Sequence, residues 1–328
     1  MSVRRGKMKK NKIDLYNMSS YFVLLAILIV FGIGGNNFLT LKSLYATANN
    51  GSAQILIACA ATFGLLVGII DLSVAAIGYL SGVVAGMMLH LYSVPYPVAF
   101  LAGVAVGLFL GWINSLLIVK FKMNGMLVTF GMMLVLRAVG RIFTNDKTIT
   151  LDKVKPLRQA RIDALGGLQI SLIVLIVIIV ALQFILKYTA FGRRLLLVGC
   201  DENVAKRIGI NADRVKTQAL MIEGLLCGMA GSYFWIVVQG SIVTSGLNGY
   251  EFLAIAGAVL GGVSLLGGHG SIFPGAVIGS MVLLYLASGM ANMGIDLFVT
   301  PFVRGIIIFA AMYVDALRTR KMMGNKLG

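Results

Sequence analysis

The side chains of this chain that could do chemistry are few, and they interrupt segments that are otherwise apolar. An ionisable group within a membrane-spanning segment costs a few kcal/mol and usually faces a bundle interior or a cavity. Such groups therefore indicate a path for a solute or a break in a helix. The ionisable and hydroxyl residues that meet this description are Asp71, Ser73, Thr129, Arg137, Glu223 and Glu251.

Several of these residues also have a purely structural interpretation. Asp71 or Ser73 could cap a helix that starts after them by accepting its free N–H groups. Arg137 and Arg141 are spaced i,i+4 and share one helix face, from which they could reach the outer membrane interface or line a polar vestibule. Glu251 begins an apolar segment, and a carboxylate is favourable at a helix N-terminus.

Motifs of catalysis and nucleotide binding are absent from the sequence. It contains no H-E-x-x-H, no G-x-S-x-G, no paired carboxylates and no G-x-x-x-x-G-K-[ST] phosphate loop. His90 and His269 are predicted to lie on opposite membrane faces, and the three cysteines lack metal-ligand spacing. We expect no catalytic residue, no metal site and no cofactor bound by this chain, so energy from ATP would have to arrive through a partner.

Composition places the chain in a membrane. Its 328 residues are 59% hydrophobic and 12% charged, with a mean hydropathy of +0.92, whereas soluble domains carry about 25% charged residues. The net charge of +16 would suit nucleic acid. Most Lys and Arg residues flank apolar runs, however, where anionic lipid and insertion topology account for them. We predict an all-α polytopic membrane protein that does not bind nucleic acid.

About ten apolar segments are predicted to cross the bilayer as helices, since a span needs ~20 apolar residues. The count falls to eight or nine if the break at Asp71 or the link Gly267–Ser271 lies within one broken helix. A cleaved signal peptide is the alternative for the first segment, although no small-x-small cleavage site follows it. The predicted spans are Tyr21–Ile33, Ala53–Ile70, Ala75–Tyr92, Val98–Val119, Met126–Phe143, Gln169–Leu186, Gln218–Val238, Phe252–Leu266, Ile272–Ala291 and Phe298–Tyr313.

The charge distribution predicts that both termini lie in the cytoplasm. Nineteen of the 28 Lys and Arg residues fall in segments assigned inside and six in segments assigned outside, as the positive-inside rule requires. We expect one transmembrane domain, 1–328, with basic cytoplasmic tails at 1–18 and 316–328 and a cytoplasmic loop at 188–216.

Forty glycines predict helices that pack closely. In lipid, helix association depends on close contact between small residues. Gly-x-x-x-Gly spacing occurs at Gly64/Gly68, Gly82/Gly86, Gly103/Gly107/Gly111, Gly224/Gly228 and Gly257/Gly261.

The polar stretch Phe191–Lys216 lies between two predicted spans and carries six of the chain's basic residues. Asp201 or Asn203 is predicted to cap a short helix whose exposed face carries Lys206 and Arg207. The stretch is the expected contact site of a soluble, energy-supplying partner. The alternative is a basic loop that is merely solvated.

Four patches resemble the permease subunits of bacterial ATP-binding-cassette importers of the ribose/galactose-type sugar family, a branch of the binding-protein-dependent permeases. The similarity runs from about residue 20 to 320, and the last two patches are the most specific. The patches are Asp71–Val74; Val128–Gly131 with Arg137; Phe191–Arg194 with Asn203, Ala205 and Gly209–Asn211; and Ala254–Ser264 with Gly267, Gly268 and Gly270.

The resemblance implies a set of partners in the bacterial inner membrane. A second permease chain would complete the pore, an extracytoplasmic binding protein would deliver a sugar-like solute, and cytoplasmic ATPase subunits would use the ATP. The loop that couples to the ATPase would comprise Asp201, Glu202, Asn203, Ala205, Lys206, Arg207, Gly209, Ile210 and Asn211. From composition alone, the alternatives are an ion-gradient-driven transporter, a channel for small polar solutes, or a membrane enzyme.

The chain departs from the family pattern at several places. Asn124-Gly125 replaces a proline before the second patch, and Ile69 and Ala75 replace glycines around the first. Glu223 occupies a place where a small or hydroxyl residue is usual, and we expect it to contact the partner chain or the pore. These departures leave open which solute is carried and whether the two permease chains are identical.

Overall fold

The computed structural model describes residues 15–35, 37–151, 161–162, 168–296, 298–309 and 313. The chain is an all-α polytopic membrane protein. In lipid every backbone N–H and C=O must be satisfied within the segment, and a helix does this. The helices are α1 (Leu15–Gly34), α2 (Leu41–Asn50), α3 (Ser52–Leu66), α4 (Val74–Tyr92), α5 (Tyr96–Ser115), α6 (Gly125–Thr144), α7 (Ile170–Tyr188), α8 (Ala190–Cys200), α9 (Glu202–Arg207), α10 (Ala212–Tyr233), α11 (Tyr250–Leu260), α12 (Val277–Asn292) and α13 (Val299–Phe309).

Short irregular elements adjoin the helices. Wider π-helical turns extend α5 over Leu116–Lys120 and α10 over Phe234–Gln239, and another, Ile272–Ala276, precedes α12. Two small antiparallel ladders join β1 (Ile149–Thr150) to β4 (Ser241–Ile242) and β2 (Arg161–Ile162) to β3 (Leu168–Gln169).

Among the described residues, six helices are long and apolar enough to cross a membrane. They are Val74–Tyr92, Tyr96–Lys120, Gly125–Thr144, Ser171–Tyr188, Ala212–Gln239 and Ile272–Asn292. Four shorter apolar helices, Ser20–Gly34, Ser52–Leu66, Tyr250–Leu260 and Val299–Phe309, coincide with the other predicted spans. The predicted C-terminal tail, residues 1–14 of the predicted N-terminal tail and most of the 144–167 loop lie outside the described residues, and α1 begins within the predicted N-terminal tail, at Leu15.

Helix α10 packs against α5 through glycines on both helices. Gly103 lies against Gly228 and Gly111 lies against Gly224, while Gly107 touches both partners. The backbones are so close that a Cβ atom built on Gly111 would lie 3.0 Å from the Cα of Gly224. The Gly-x-x-x-Gly spacing on both helices therefore forms the contact that it predicts, and the two helices run in opposite directions.

The Asp71 segment is a turn between two helices and not a break within one. Gly64 in α3 lies against Glu223, and Asn49, just before α3, lies 3.3 Å from the Tyr233 hydroxyl, so α3 runs antiparallel to α10. Helix α4 runs parallel to α10, because Gly78 and Gly82 meet successively later residues of α10. Hence α3 and α4 form an antiparallel pair joined by Val67–Ser73.

Helices α11 and α12 form a second antiparallel pair. Gly257 lies against Ser280, and Gly261 lies against Gly275. Helix α11 ends at Leu260, six residues before the predicted end of the span at Leu266, because two glycines follow it and Gly262 has a φ of +92° that favours glycine.

The stretch Phe191–Lys216 is more helical than predicted, since α8 and the first turns of α10 flank the expected short helix. Side chains cap each N-terminus. Thr189 accepts from the Gly192 N–H at 3.3 Å, and Asn211 accepts from the Arg214 N–H at 2.9 Å. Polar residues that suggested a solvated loop therefore act as helix caps.

The glycine contact between α5 and α10 gives a test of this packing. We expect Gly107→Ala to lower the free energy of unfolding by about 1–3 kcal/mol, because its Cβ would lie 2.6 Å from the Cα of Gly228. Gly131→Ala is the matched control, since a Cβ there meets no described atom within 4 Å. Thermal unfolding in detergent measures both variants, and equal melting temperatures would contradict the packing.

Candidate functional site

A buried polar cluster surrounds Asp71 in the turn between α3 and α4. One carboxylate oxygen accepts from the N–H and the hydroxyl of Ser73, each at 2.6 Å. The amide of Asn114 in α5 donates to the other oxygen at 3.2 Å and to the Ser73 hydroxyl oxygen at 2.8 Å. Asp71 therefore caps the backbone just ahead of α4, whereas the Ser73 side chain makes no cap bond to that helix.

Thr129 ties helix α6 to the same turn. Its hydroxyl oxygen accepts from the buried Leu72 N–H at 3.0 Å. The sequence singled out Thr129, Asp71 and Ser73, and the structure brings all three together. Asn114 was missed, although a polar residue in the apolar span Val98–Val119 was the signal that could have found it.

The third and fourth patches meet beside this turn. The Gly268 N–H donates to the carbonyl of Leu66 at 2.9 Å. Gly199, near the end of α8, lies so close that its Cβ would be 2.5 Å from the Gly268 nitrogen. The Cys200 thiol lies 3.4 Å from the carbonyl oxygen of Gly268. The chain segments that contain the four patches, Arg137 excepted, thus come together at one end of the bundle, which we call the α8–α9 end.

Helix α9 sits on this end as a short capped helix. Asp201, and not Asn203, forms the cap by accepting from the N–H groups of Asn203 at 2.8 Å and Val204 at 3.1 Å. Ala205 is buried and seats the helix against the bundle. Between Asp201 and Gly209, the exposed residues are Asp201, Asn203, Val204, Lys206, Arg207, Ile208 and Gly209.

A Schellman motif ends α9 at Gly209. The Gly209 N–H donates to the Lys206 carbonyl and the Ile210 N–H donates to the Ala205 carbonyl, both at 3.0 Å. Gly209 has a φ of +82°, in the left-handed region that favours glycine. The glycine at this position is therefore needed to turn the chain from α9 into α10.

Glu202 joins two lysines at the base of α9. Its carboxylate pairs with Lys206 at 2.7 Å and with Lys216 in α10. Hydrogen bonds from these two lysines lower the pKa of Glu202 to about 2. Glu202 and Lys216 also line a cavity of about 250 Å³, together with Ile69, Ile118, Val119, Lys122, Met123 and Asp213.

The opposite end of the bundle contains a buried ion pair. Arg137 in α6 lies 3.2 Å from the carboxylate of Glu251, and the two side chains are only 15% and 6% exposed. Arg137 also donates to the carbonyl of Leu247 at 2.9 Å and lies over the ring of Tyr79. Arg141 is exposed, as a residue at the membrane interface would be, whereas Arg137 is half-buried and held by Glu251 and Leu247.

Glu223 makes no hydrogen bond to either group and lies within the contact between α3 and α10. It is 1% exposed, and neither carboxylate oxygen has a hydrogen-bond partner among the described residues. The carboxylate occupies space left by Gly64, where a Cβ would lie 3.1 Å from its carbon. This side chain therefore faces the interior of its own bundle.

Comparison with known proteins identifies the family. Residues 43–312 match the family described as branched-chain amino acid transport system / permease component. The chain belongs to this permease family. It is accordingly a multi-pass inner-membrane permease component. No solved structure matches the chain.

Several relatives cover most of the permease. The ribose import permease protein of Escherichia coli K12 is 28% identical over 313 residues, covering 94% of this chain and 97% of the relative. The autoinducer 2 import system permease protein of Photorhabdus luminescens is 30% identical over 306 residues, covering 92% and 91%. The fructose import permease protein of Rhizobium meliloti is 29% identical over 305 residues, covering 89% and 83%.

Two buried glutamates of the permease predict opposite effects of the same substitution. We expect Glu223→Met to raise the free energy of unfolding by about 1–3 kcal/mol, since it removes a buried carboxyl that lacks hydrogen bonds. We expect Glu251→Met to lower it by about 3–5 kcal/mol, because it leaves the buried Arg137 unpaired. Thermal unfolding in detergent compares the two variants, and changes of the same sign in the free energy of unfolding would contradict this difference between the two sites.

Proposed function

We propose that this chain is the permease subunit of an ATP-binding-cassette importer for a sugar or sugar-like solute. The observation that carries the proposal is the α8–α9 end, where the capped helix α9 stands exposed beside the segments that contain the patches. The sequence has no phosphate loop of its own. A separate cytoplasmic ATPase therefore binds this helix and supplies the energy.

The rest of the assembly follows from the same proposal. Two permease chains, identical or different, enclose the path, and an extracytoplasmic binding protein delivers the solute. The chain forms one transmembrane domain of about ten spans with both termini in the cytoplasm. The antiparallel pairs α3–α4 and α11–α12 support this count, because each turn joins two separate helices.

The solute class rests on the relatives. The three proteins are named for import of ribose, fructose and autoinducer 2, so a small hydroxyl-rich solute is the cargo we propose for this chain. An ion-gradient-driven transporter is not favoured, because the matched family and these relatives are components of transport or import systems.

Within this importer, the two polar groups mark the two ends of each permease. The Asp71 cluster holds the turn at the cytoplasmic end, beside the ATPase contact. The Arg137–Glu251 pair fixes the outer loop that precedes α11. Glu223 is enclosed among helices of its own chain, so its contribution is to helix packing and not to direct contact with the solute.

Two exposed apolar residues, Val204 in α9 and Ile208 directly after it, provide the central experiment. Val204 and Ile208 are 49% and 62% exposed and sit one helical turn apart beside Lys206 and Arg207. Tagged wild-type permease should capture the ATPase from membranes, and vesicles should take up the sugar only with ATP and the binding protein. A Val204→Asp/Ile208→Asp double variant should lose at least about tenfold in ATPase capture, the scale of an interface hot spot.

The control for this experiment is Leu91→Asp, an exposed apolar position at the far end of α4. It should capture the ATPase as well as wild type does. Capture by the α9 double variant at the wild-type level would contradict the proposed contact. Uptake by the wild type without ATP would contradict an ATP-driven importer.

Cysteine labelling tests the orientation of this end. Cys200 is exposed, whereas Cys59 and Cys227 are buried, so a membrane-impermeant maleimide should react at Cys200 alone. We expect labelling in inverted vesicles and none in intact cells. A Ser245→Cys/Cys200→Ser variant, with its thiol in the opposite loop, should give the reverse pattern. Labelling of wild-type Cys200 in intact cells would place α9 outside the cytoplasm.

A further inference from the structure

The connection between α9 and α10 contains a turn that could absorb movement. It consists of four residues, Ile208–Asn211. Gly209 in this turn has a left-handed φ of +82°, and a Cβ built on it meets no described atom within 4 Å. Loop glycines of this kind often serve as hinges between rigid elements. If the backbone were the only connection, a displacement of α9 would rotate the backbone at Gly209 and would not move α10.

One ion pair bridges this turn. Glu202, the first residue of α9, pairs with Lys216 in the second turn of α10. The two side chains are 32% and 21% exposed, so the pair is partly shielded from water. Lys206 completes the arrangement at 2.7 Å from the same carboxylate. The carboxylate therefore ties the N-terminal end of α9 to α10, whereas the backbone joins the two helices at the C-terminal end of α9.

The far partner of this bridge is the helix around which the bundle is packed. Helix α10 contacts α5 backbone to backbone through Gly224 and Gly228, and it contacts α4 through Gly231. A protein interior packed at this density transmits displacement and does not deform smoothly. A force delivered to Lys216 thus reaches the helices that enclose Asp71 and Asn114.

We propose that the Glu202–Lys216 ion pair makes α9 and α10 move as one body, so that Glu202 is the positioning residue that converts ATPase movement into opening of the permease. This inference rests on the proposed function, because it presupposes an ATPase bound at α9. The ATPase contact itself does not require the ion pair, so this role of Glu202 and Lys216 is separate from binding.

The electrostatics keep this pair in place under working conditions. The two lysines lower the pKa of Glu202 to about 2, below its usual 4.5. A depressed carboxyl pKa contributes stability that is present above the unfolded-state value and is lost as pH falls through the folded-state value. In the folded protein Glu202 therefore stays ionised well below pH 4.5, and the stability that the pair contributes declines between about pH 4.5 and pH 2.

The test measures solute uptake per ATP hydrolysed, using permease, ATPase and binding protein in proteoliposomes. Glu202→Gln and Lys216→Gln should each lower this ratio about fivefold, the factor that corresponds to about 1 kcal/mol for a partly exposed pair. ATPase capture should stay at the wild-type value. The exchanged pair Glu202→Lys/Lys216→Glu should restore the ratio to within about twofold, since Glu at 216 would then face Lys at 202 and Lys206.

Lys122→Gln is the matched control. Lys122 pairs with Asp213 at 2.9 Å, an ion pair that joins the α5–α6 link to α10, and the uptake per ATP of this variant should equal the wild-type value. An unchanged ratio in Glu202→Gln, a loss of ATPase capture in that variant, or failure of the exchanged pair would each overturn the proposal. Wild-type vesicles that do not couple uptake to ATP would instead refute the proposed function.

Discussion

Close backbone contact between α10 and its neighbours is the constraint on which the rest of this structure depends. Without water to expel between helices, association in lipid relies on dispersion contacts, and these fall off steeply with distance. Glycines on α4, α5 and α10 allow the backbones to meet. This contact fixes α10 as a rigid centre, against which α3, α4 and α5 pack directly.

Three buried carboxylates illustrate how such a bundle treats charge. Asp71 receives hydrogen bonds from Ser73 and Asn114, and Glu251 has the Arg137 guanidinium. Glu223 has neither kind of partner among the described residues. Because burial of a polar group is costly unless it is hydrogen-bonded, the first two strengthen the bundle at its ends. Glu223 weakens it in the middle, where Gly64 makes room for the carboxylate.

The sequence predicted helix positions well because apolar length is the quantity that the bilayer selects. Each predicted span has a helix, but α3 and α11 end early at glycine-containing turns that an average over apolar residues does not detect. The helix at Glu202–Arg207 was predicted from its cap. Helix α8 was not, since Arg193 and Arg194 suggested a solvated loop, although the Thr189 cap was present in the sequence.

The contacts between site residues were harder to predict from the sequence than the residues themselves. Asp71 and Ser73 were selected together and Thr129 separately, and only the fold shows that Thr129 in α6 bonds to the turn that holds the other two. Arg137 and Glu251 are 114 positions apart, and no local spacing links them. A long-range ion pair depends on how helices are arranged in space, and a single sequence records that arrangement only indirectly.

The ion pairs at the two ends of the bundle differ in burial, and this difference fits the proposed ATPase contact at one end only. The pair Arg137–Glu251 is largely buried, so breaking it would leave a costly unpaired charge. The ion pairs at the α8–α9 end are more exposed, and exposed pairs are individually weak. The proposed coupling therefore depends on where a pair lies and not on its strength, since the Glu202–Lys216 pair bridges the turn at Gly209.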